Sequence, residues 1–137
     1  LGLSNQIVNM RGFKAGMSKE ERYAVHRNNL LAIMLQDESQ ITPQLLDMQE
    51  HNVLRDRLRR RRIARSDAML QLQTQWTCPV FGIWGENDAL YRGSLHLIQG
   101  LLSACDLCGF HVLPDAGHWV QYEQPDAFNK LLLQSLA

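Results

Sequence analysis

The sequence predicts an α/β fold: a small parallel sheet in β-α-β-α order, preceded by an all-helical region and incomplete in this chain. Three observations carry this. The stretch CPVFGIWG at 78–85 is a continuous apolar run closed by glycine, the pattern of a strand buried on both faces. A helical run, SLHLIQGLLSA, separates it from a second short apolar stretch, FHVL, and a helical tail, PDAFNKLLLQSLA, follows. Between 18 and 75 nothing alternates with the period of a strand. Alternation of strand and helix favours a parallel sheet with crossover connections. Two strands alone do not make a stable sheet, so further strands are expected from outside this chain.

The elements follow in order. Residues 1–17 hold glycines around RGFKAG and read as loop or linker. SKEERYAVHRNNLLAIMLQ opens with a capping box, Ser18 with Glu21. Tyr23, Arg27, Leu30 and Met34 repeat at helical spacing, as do His26, Leu30 and Ile33, so a helix is predicted over 19–36. In ITPQLLDMQEHNVLRDRL, Thr42 is a good N-cap and Pro43 sits where its missing N–H costs nothing. Ile41 and Leu46 have the spacing of a hydrophobic staple. Leu45, Leu46, Val53, Leu54 and Leu58 fall mainly on one face. A third helix is predicted over 64–74. In the tail, Pro125 opens a helix with Phe128, Leu131, Leu132 and Leu136 on one side.

Bulk properties exclude several classes. The 137 residues are enough for one domain, 45 % hydrophobic and with zero formal net charge. Neutrality gives no global case for nucleic acid or a membrane surface as partner. No apolar stretch approaches the ~18 residues that span a bilayer, and LGLSNQIVNM is no signal peptide. Cytoplasm is the default location. The chain lacks an initiator Met and is expected to be a piece of something longer. The three cysteines are too few and too odd in number for a disulfide scaffold. Cys105 and Cys108 form a C-x-x-C after a helix-like run; with only Cys78 remaining, they read as ordinary buried or loop thiols, with redox or metal chemistry as the other reading, and no metal or organic cofactor is expected. The basic run RLRRRR at 57–62 lacks interleaved aromatics. It reads as a solvated surface balanced by Asp47, Glu50 and Asp56, with an anion or partner contact as the other reading.

In open α/β sheets, functional side chains gather beyond the C-terminal ends of the strands. Two polar residues stand there: Asp88 after FGIWGEN, and His118 after FHVLPDAG. Loops leaving adjacent parallel strands can bring these side chains together. A carboxylate bonded to an imidazole fixes its tautomer and stabilises its protonated form. The plain reading is also open: a polar loop histidine, and an aspartate that favours turns.

These residues resemble a known family. CPVFGIWGENDALY and FHVLPDAGHWVQYEQPDAFNKLLLQSL look like the C-terminal part of an α/β-hydrolase, in which the triad order is Ser, acid, His. Gly85-Glu86-Asn87-Asp88 matches the family's acid loop, and Gly117-His118 its histidine loop. Glu123, Pro125 and Phe128 match its E-x-P-x-x-F ending. The resemblance covers about 60 residues and implies Asp88 and His118 as catalytic residues. It implies a helical lid at 18–75, a C-terminal part of the core at 76–137, and 1–17 as the link from a missing N-terminal core. Gly117-His118-Trp119 is similar to the meta-cleavage product hydrolases, which cleave carbon–carbon bonds; there the Trp lines the substrate pocket, and packing is the other reading of Trp119. A small-molecule substrate is implied, with self-association through a sheet edge or the lid as a further possibility.

Two departures matter. Where that subgroup has a lid arginine, this sequence has Gln49, with His51, Asn52 or Arg55 as polar neighbours. An ester or lactone hydrolase of the same fold stays open. No G-x-S-x-G occurs, so no nucleophile is expected in this chain, and the chain alone is expected to be inactive. An epoxide hydrolase or dehalogenase with an Asp nucleophile is a rival within the fold; a non-enzymatic interaction module is a rival outside it.

Overall fold

The computed structural model describes residues 8–56 and 66–137. The basic run at 57–62, Leu58, the start of the third predicted helix and residues 1–7 lie outside the described residues.

Helix α1 spans Lys19–Asn29 and starts as its sequence demands. The Ser18 hydroxyl accepts from the Glu21 N–H, and the Glu21 carboxylate accepts from the Ser18 N–H. The helix then widens into a π turn, Leu30–Met34, closed by Leu35 N–H donating to the Leu30 carbonyl. Leu35 is extended, so the helical path ends two residues earlier than the period predicts. A 3₁₀ turn, Glu38–Gln40, leads to α2, Pro43–Arg55. Thr42 caps α2 through Leu45 N–H, with Pro43 in the first turn; such a cap is worth about 1 kcal/mol.

Leu30, Leu35, Ile41, Leu45 and Leu46 form the core between α1 and α2, and the Ile41–Leu46 staple lies inside it. Polar contacts hold the same pair of helices. Glu50 accepts from Arg22 and pairs with the buried His26 ring at 2.6 Å. The His26 ring, and then Arg22, hold the Glu50 carboxyl below the usual carboxylate range. Asp47 accepts from Tyr23 and pairs with Lys19. Asp47 and Glu50 thus both tie α2 to α1. The single apolar face predicted for α2 fails beyond its first turns: Val53 and Leu54 are exposed, because among the described residues no element covers them.

Helix α3, Ala68–Leu72, runs into a 3₁₀ turn at Gln73–Gln75. Strand β1, Val80–Gly85, pairs in parallel with β2, Leu107–Leu113, through α4, Leu95–Leu101. The second strand is longer than FHVL and takes Cys108 into it. Desolvation and Asp106 push the Cys108 thiol up, the opposite of what a reactive thiolate needs. The expectation of a strand buried on both faces is corrected: Phe81 and Val112 are exposed, because β1 and β2 are the only strands among the described residues. Trp84 and Phe110 stack at 5.2 Å over Gly82, where a Cβ would meet the Phe110 ring at 2.8 Å.

Two short helices close the chain: α5, Val120–Glu123, and α6, Pro125–Leu136. Phe128 and Leu131 are half-buried, but Leu132 and Leu136 are exposed, so only part of the predicted apolar side of α6 is covered. No helix among the described residues is long and apolar enough to cross a membrane.

The end of β1 and the loop after β2 touch backbone to backbone at Gly85. A Cβ there would fall 2.1 Å from the Gly117 carbonyl oxygen and 2.4 Å from that of Ala116. No side chain can turn away to relieve this. Gly85→Ala is therefore expected to destabilise the chain by about 3 kcal/mol or more, read from urea denaturation. Unchanged stability would mean that the loop shifts freely.

Candidate active site

The parallel register brings the two loops together. Gly85 pairs with Leu113, so the chain leaves both strands at the same end of the sheet. Glu86 N–H donates to the Leu113 carbonyl and Asn87 N–H to that of Ala116, tying the β1 loop to the β2 loop. Asp88 N–H folds back to the Gly85 carbonyl, and the Asp88 Oδ1 accepts from Leu90 N–H two residues on. This local turn is what aspartate favours. Across the gap the β2 loop turns through Asp115, whose φ of 52° lies in the left-handed region; aspartate and asparagine tolerate it better than most.

Asp88 and His118 meet here. The His118 Nδ1 lies 2.8 Å from the Asp88 Oδ2. Asp88 is 1 % exposed, whereas the His118 side chain keeps 34 % of its surface open. Since an ionised carboxylate only accepts, Nδ1–H is the donor, which leaves Nε2 for proton transfer. The hydrogen bond to Asp88 raises the His118 pKa above 6.5; burial opposes this, and the charge of Asp88 adds to it. Burial and the Asp88 charge likewise push the neighbouring Tyr91 phenol up.

Both residues line a cavity of about 370 Å³ with Ile83, Trp84, Tyr91 and Phe128 in its wall. The wall is mostly apolar and aromatic. Among the described residues that line it, none is a serine, cysteine, lysine or arginine.

Over 57 residues this chain is similar to a hydrolase. It is 39 % identical there to the 2-hydroxy-6-oxononadienedioate/2-hydroxy-6-oxononatrienedioate hydrolases of Escherichia coli strains E24377A, HS and K12/DH10B. The match covers 40 % of this chain and 18 % of each relative's length. No family model matches the chain. The likeness supports hydrolase chemistry for the fold.

The other residues singled out from sequence fall elsewhere. Trp119 packs against the Leu30–Leu46 cluster and stands 6.4 Å from the Tyr122 ring; it is not among the cavity-lining residues. Gln49, His51, Asn52 and Arg55 lie on α2 and do not line the cavity either. The residue that sequence reasoning used only as part of an ending motif is Glu123. It is 6 % exposed and bonded to the backbone on both sides of the molecule. An acid directly after an aromatic-rich turn and just before Pro125 was the available signal.

The raised His118 pKa has a definite sign. Its contribution to stability is complete below about pH 6.5 and is lost as pH rises through the higher folded value. NMR titration of His118 should give a pKa above the ordinary histidine value. Asp88→Asn should return it toward that value and abolish this part of the pH dependence of unfolding. An unmoved titration would remove Asp88 as the partner.

Proposed function

We propose that this chain carries the acid–base half of a hydrolase active site. His118 takes a proton from the attacking nucleophile at Nε2 and returns it to the leaving group. Asp88 holds Nδ1–H and stabilises the imidazolium formed between those steps. One observation carries the reading: the 2.8 Å bond between a buried carboxylate and a partly open imidazole, at the shared end of two parallel strands. The hydrolase relatives support the reaction class.

In this reading the chain is the C-terminal portion of an α/β-hydrolase. Residues 18–75 are its lid, 76–137 the last part of its core, and 1–17 the connection to the rest. The nucleophile and the oxyanion donors belong to the rest, a view supported by a sequence without G-x-S-x-G. The substrate is a small carbonyl compound cleaved at an ester or carbon–carbon bond. The 137 residues alone do not turn it over, because a base without nucleophile or oxyanion hole has nothing to activate.

A second reading has its own support. Leu133 and Leu136 are 69 % and 74 % exposed on α6, beside exposed Leu132. An apolar strip of this kind favours association, as expected of a non-enzymatic pairing module.

The test uses the chain and the longer polypeptide of which this reading makes it the C-terminal portion. The chain alone should take no label from a serine-reactive phosphonate. The longer protein should hydrolyse esters or vinylogous diketones, and His118→Ala should lower kcat by about 10³-fold or more. Undiminished turnover in that variant would take His118 out of the mechanism. A longer protein with no turnover, together with a dimer broken by Leu136→Glu, would favour the pairing module.

A further inference from the structure

We infer that Glu123 is the positioning residue of the Asp88–His118 pair, a buried carboxylate that locks the histidine loop onto the end of the first helical segment. This rests on the reading of that pair as the acid–base element of the site.

The geometry is specific. The Glu123 Oε2 accepts from Gly117 N–H, the residue just before His118. The Oε1 accepts from Gln36 N–H at 2.6 Å and from Asp37 N–H at 3.1 Å, 87 and 86 residues away in sequence. On the other side of His118, Trp119 N–H donates to the Met34 carbonyl at 2.8 Å. His118 is thus bracketed: the amide before it is held by Glu123, itself anchored on the segment that follows α1, and the amide after it is held by that segment directly. The loop has little room to relax. At Gly117 a Cβ would stand 3.0 Å from the Glu123 Oε2, 3.1 Å from the Gln36 nitrogen and 3.1 Å from the Met34 oxygen.

The chemistry requires a carboxylate. Three N–H groups converge on the side chain, and an ionised carboxylate has lone pairs for all of them and no donor to clash. Among the described residues the Glu123 carboxylate pairs with no cation; backbone dipoles balance it, through charge-assisted bonds that are the stronger kind. A glutamine would have to turn an NH₂ toward an N–H, leaving buried donors unpaired. The glutamate touches no reacting atom. It acts through the loop, by fixing where the imidazole meets Asp88, and misplacing a base by an ångström is enough to impair it.

The experiment reads the loop and the imidazole in the whole chain, without activity. In Glu123→Gln, the Gly117 and Trp119 amides should exchange hydrogen about tenfold faster or more, as expected of local opening. The Ile83 and Trp84 amides of β1 should stay within about twofold. The NMR titration of His118 should fall toward the ordinary histidine value. Equal acceleration of loop and strand amides, or an unmoved His118 titration, would overturn the positioning role. If Glu123→Gln does not fold, Glu123→Asp decides by the same readouts, since it keeps the charge and draws the oxygens back from the three amides. Asp88→Asn separates the two readings. If it leaves the His118 titration unmoved, the pair itself is wrong; if it shifts the titration while Glu123→Gln does not, only the clamp is wrong.

Discussion

The Glu123 carboxylate sits where the two parts of this molecule meet, and both parts depend on it. A helix end leaves backbone groups without partners, and a loop after a strand does the same. Here each supplies what the other lacks. The amides at Gln36 and Asp37, past the π turn, and the amide at Gly117 all converge on one side chain, and the Met34 carbonyl takes the Trp119 amide. The same junction is reinforced by the packing of Trp119 against the Leu30–Leu46 cluster and by the Tyr122 hydroxyl donating to the Gln40 carbonyl.

The site inherits its precision from this junction and from the sheet. Parallel pairing puts the ends of β1 and β2 side by side, and the bare backbone of Gly85 lets the β2 loop lie directly against it. Asp88 is then fixed by its own turn and buried, and His118 comes to it from across the gap. Asp88 is buried, and the His118 ring is only partly so. The carboxylate is kept from water and serves the imidazole; the imidazole faces a cavity walled by aromatic groups. The same two strands leave Phe81 and Val112 uncovered, and α6 leaves Leu132, Leu133 and Leu136 so. The apolar surface of this chain thus extends well beyond its own core.

Much of the local structure was legible in the sequence. The Ser18–Glu21 capping box, the Thr42 cap, Pro43 and Pro125 in first turns, and the Ile41–Leu46 staple are short-range patterns whose geometry follows from neighbours in the chain. The two strands and their parallel order were legible from apolar runs split by a helical one. Burial was less so. A continuous apolar run cannot tell which of its faces this chain covers, so the sequence pattern places Phe81, Val53 and Leu136 in cores that do not close over them. The π turn was hidden as well, since its one-residue slip leaves the sequence period almost intact over a single turn.

Asp88 and His118 could be picked out because their place after strand ends is written in the order of elements. Trp119 and Glu123 could not be assigned a job that way. What the sequence by itself determined is the set of caps, the alternation of strand and helix, and the candidates at the strand ends, because each depends on residues a few positions apart. What only the tertiary structure decided is which faces are covered, that Trp119 packs on the helices, and that Glu123 binds amides 86 and 87 residues away. Those outcomes depend on which distant backbone groups are left without partners once the chain has folded, and no local pattern records that.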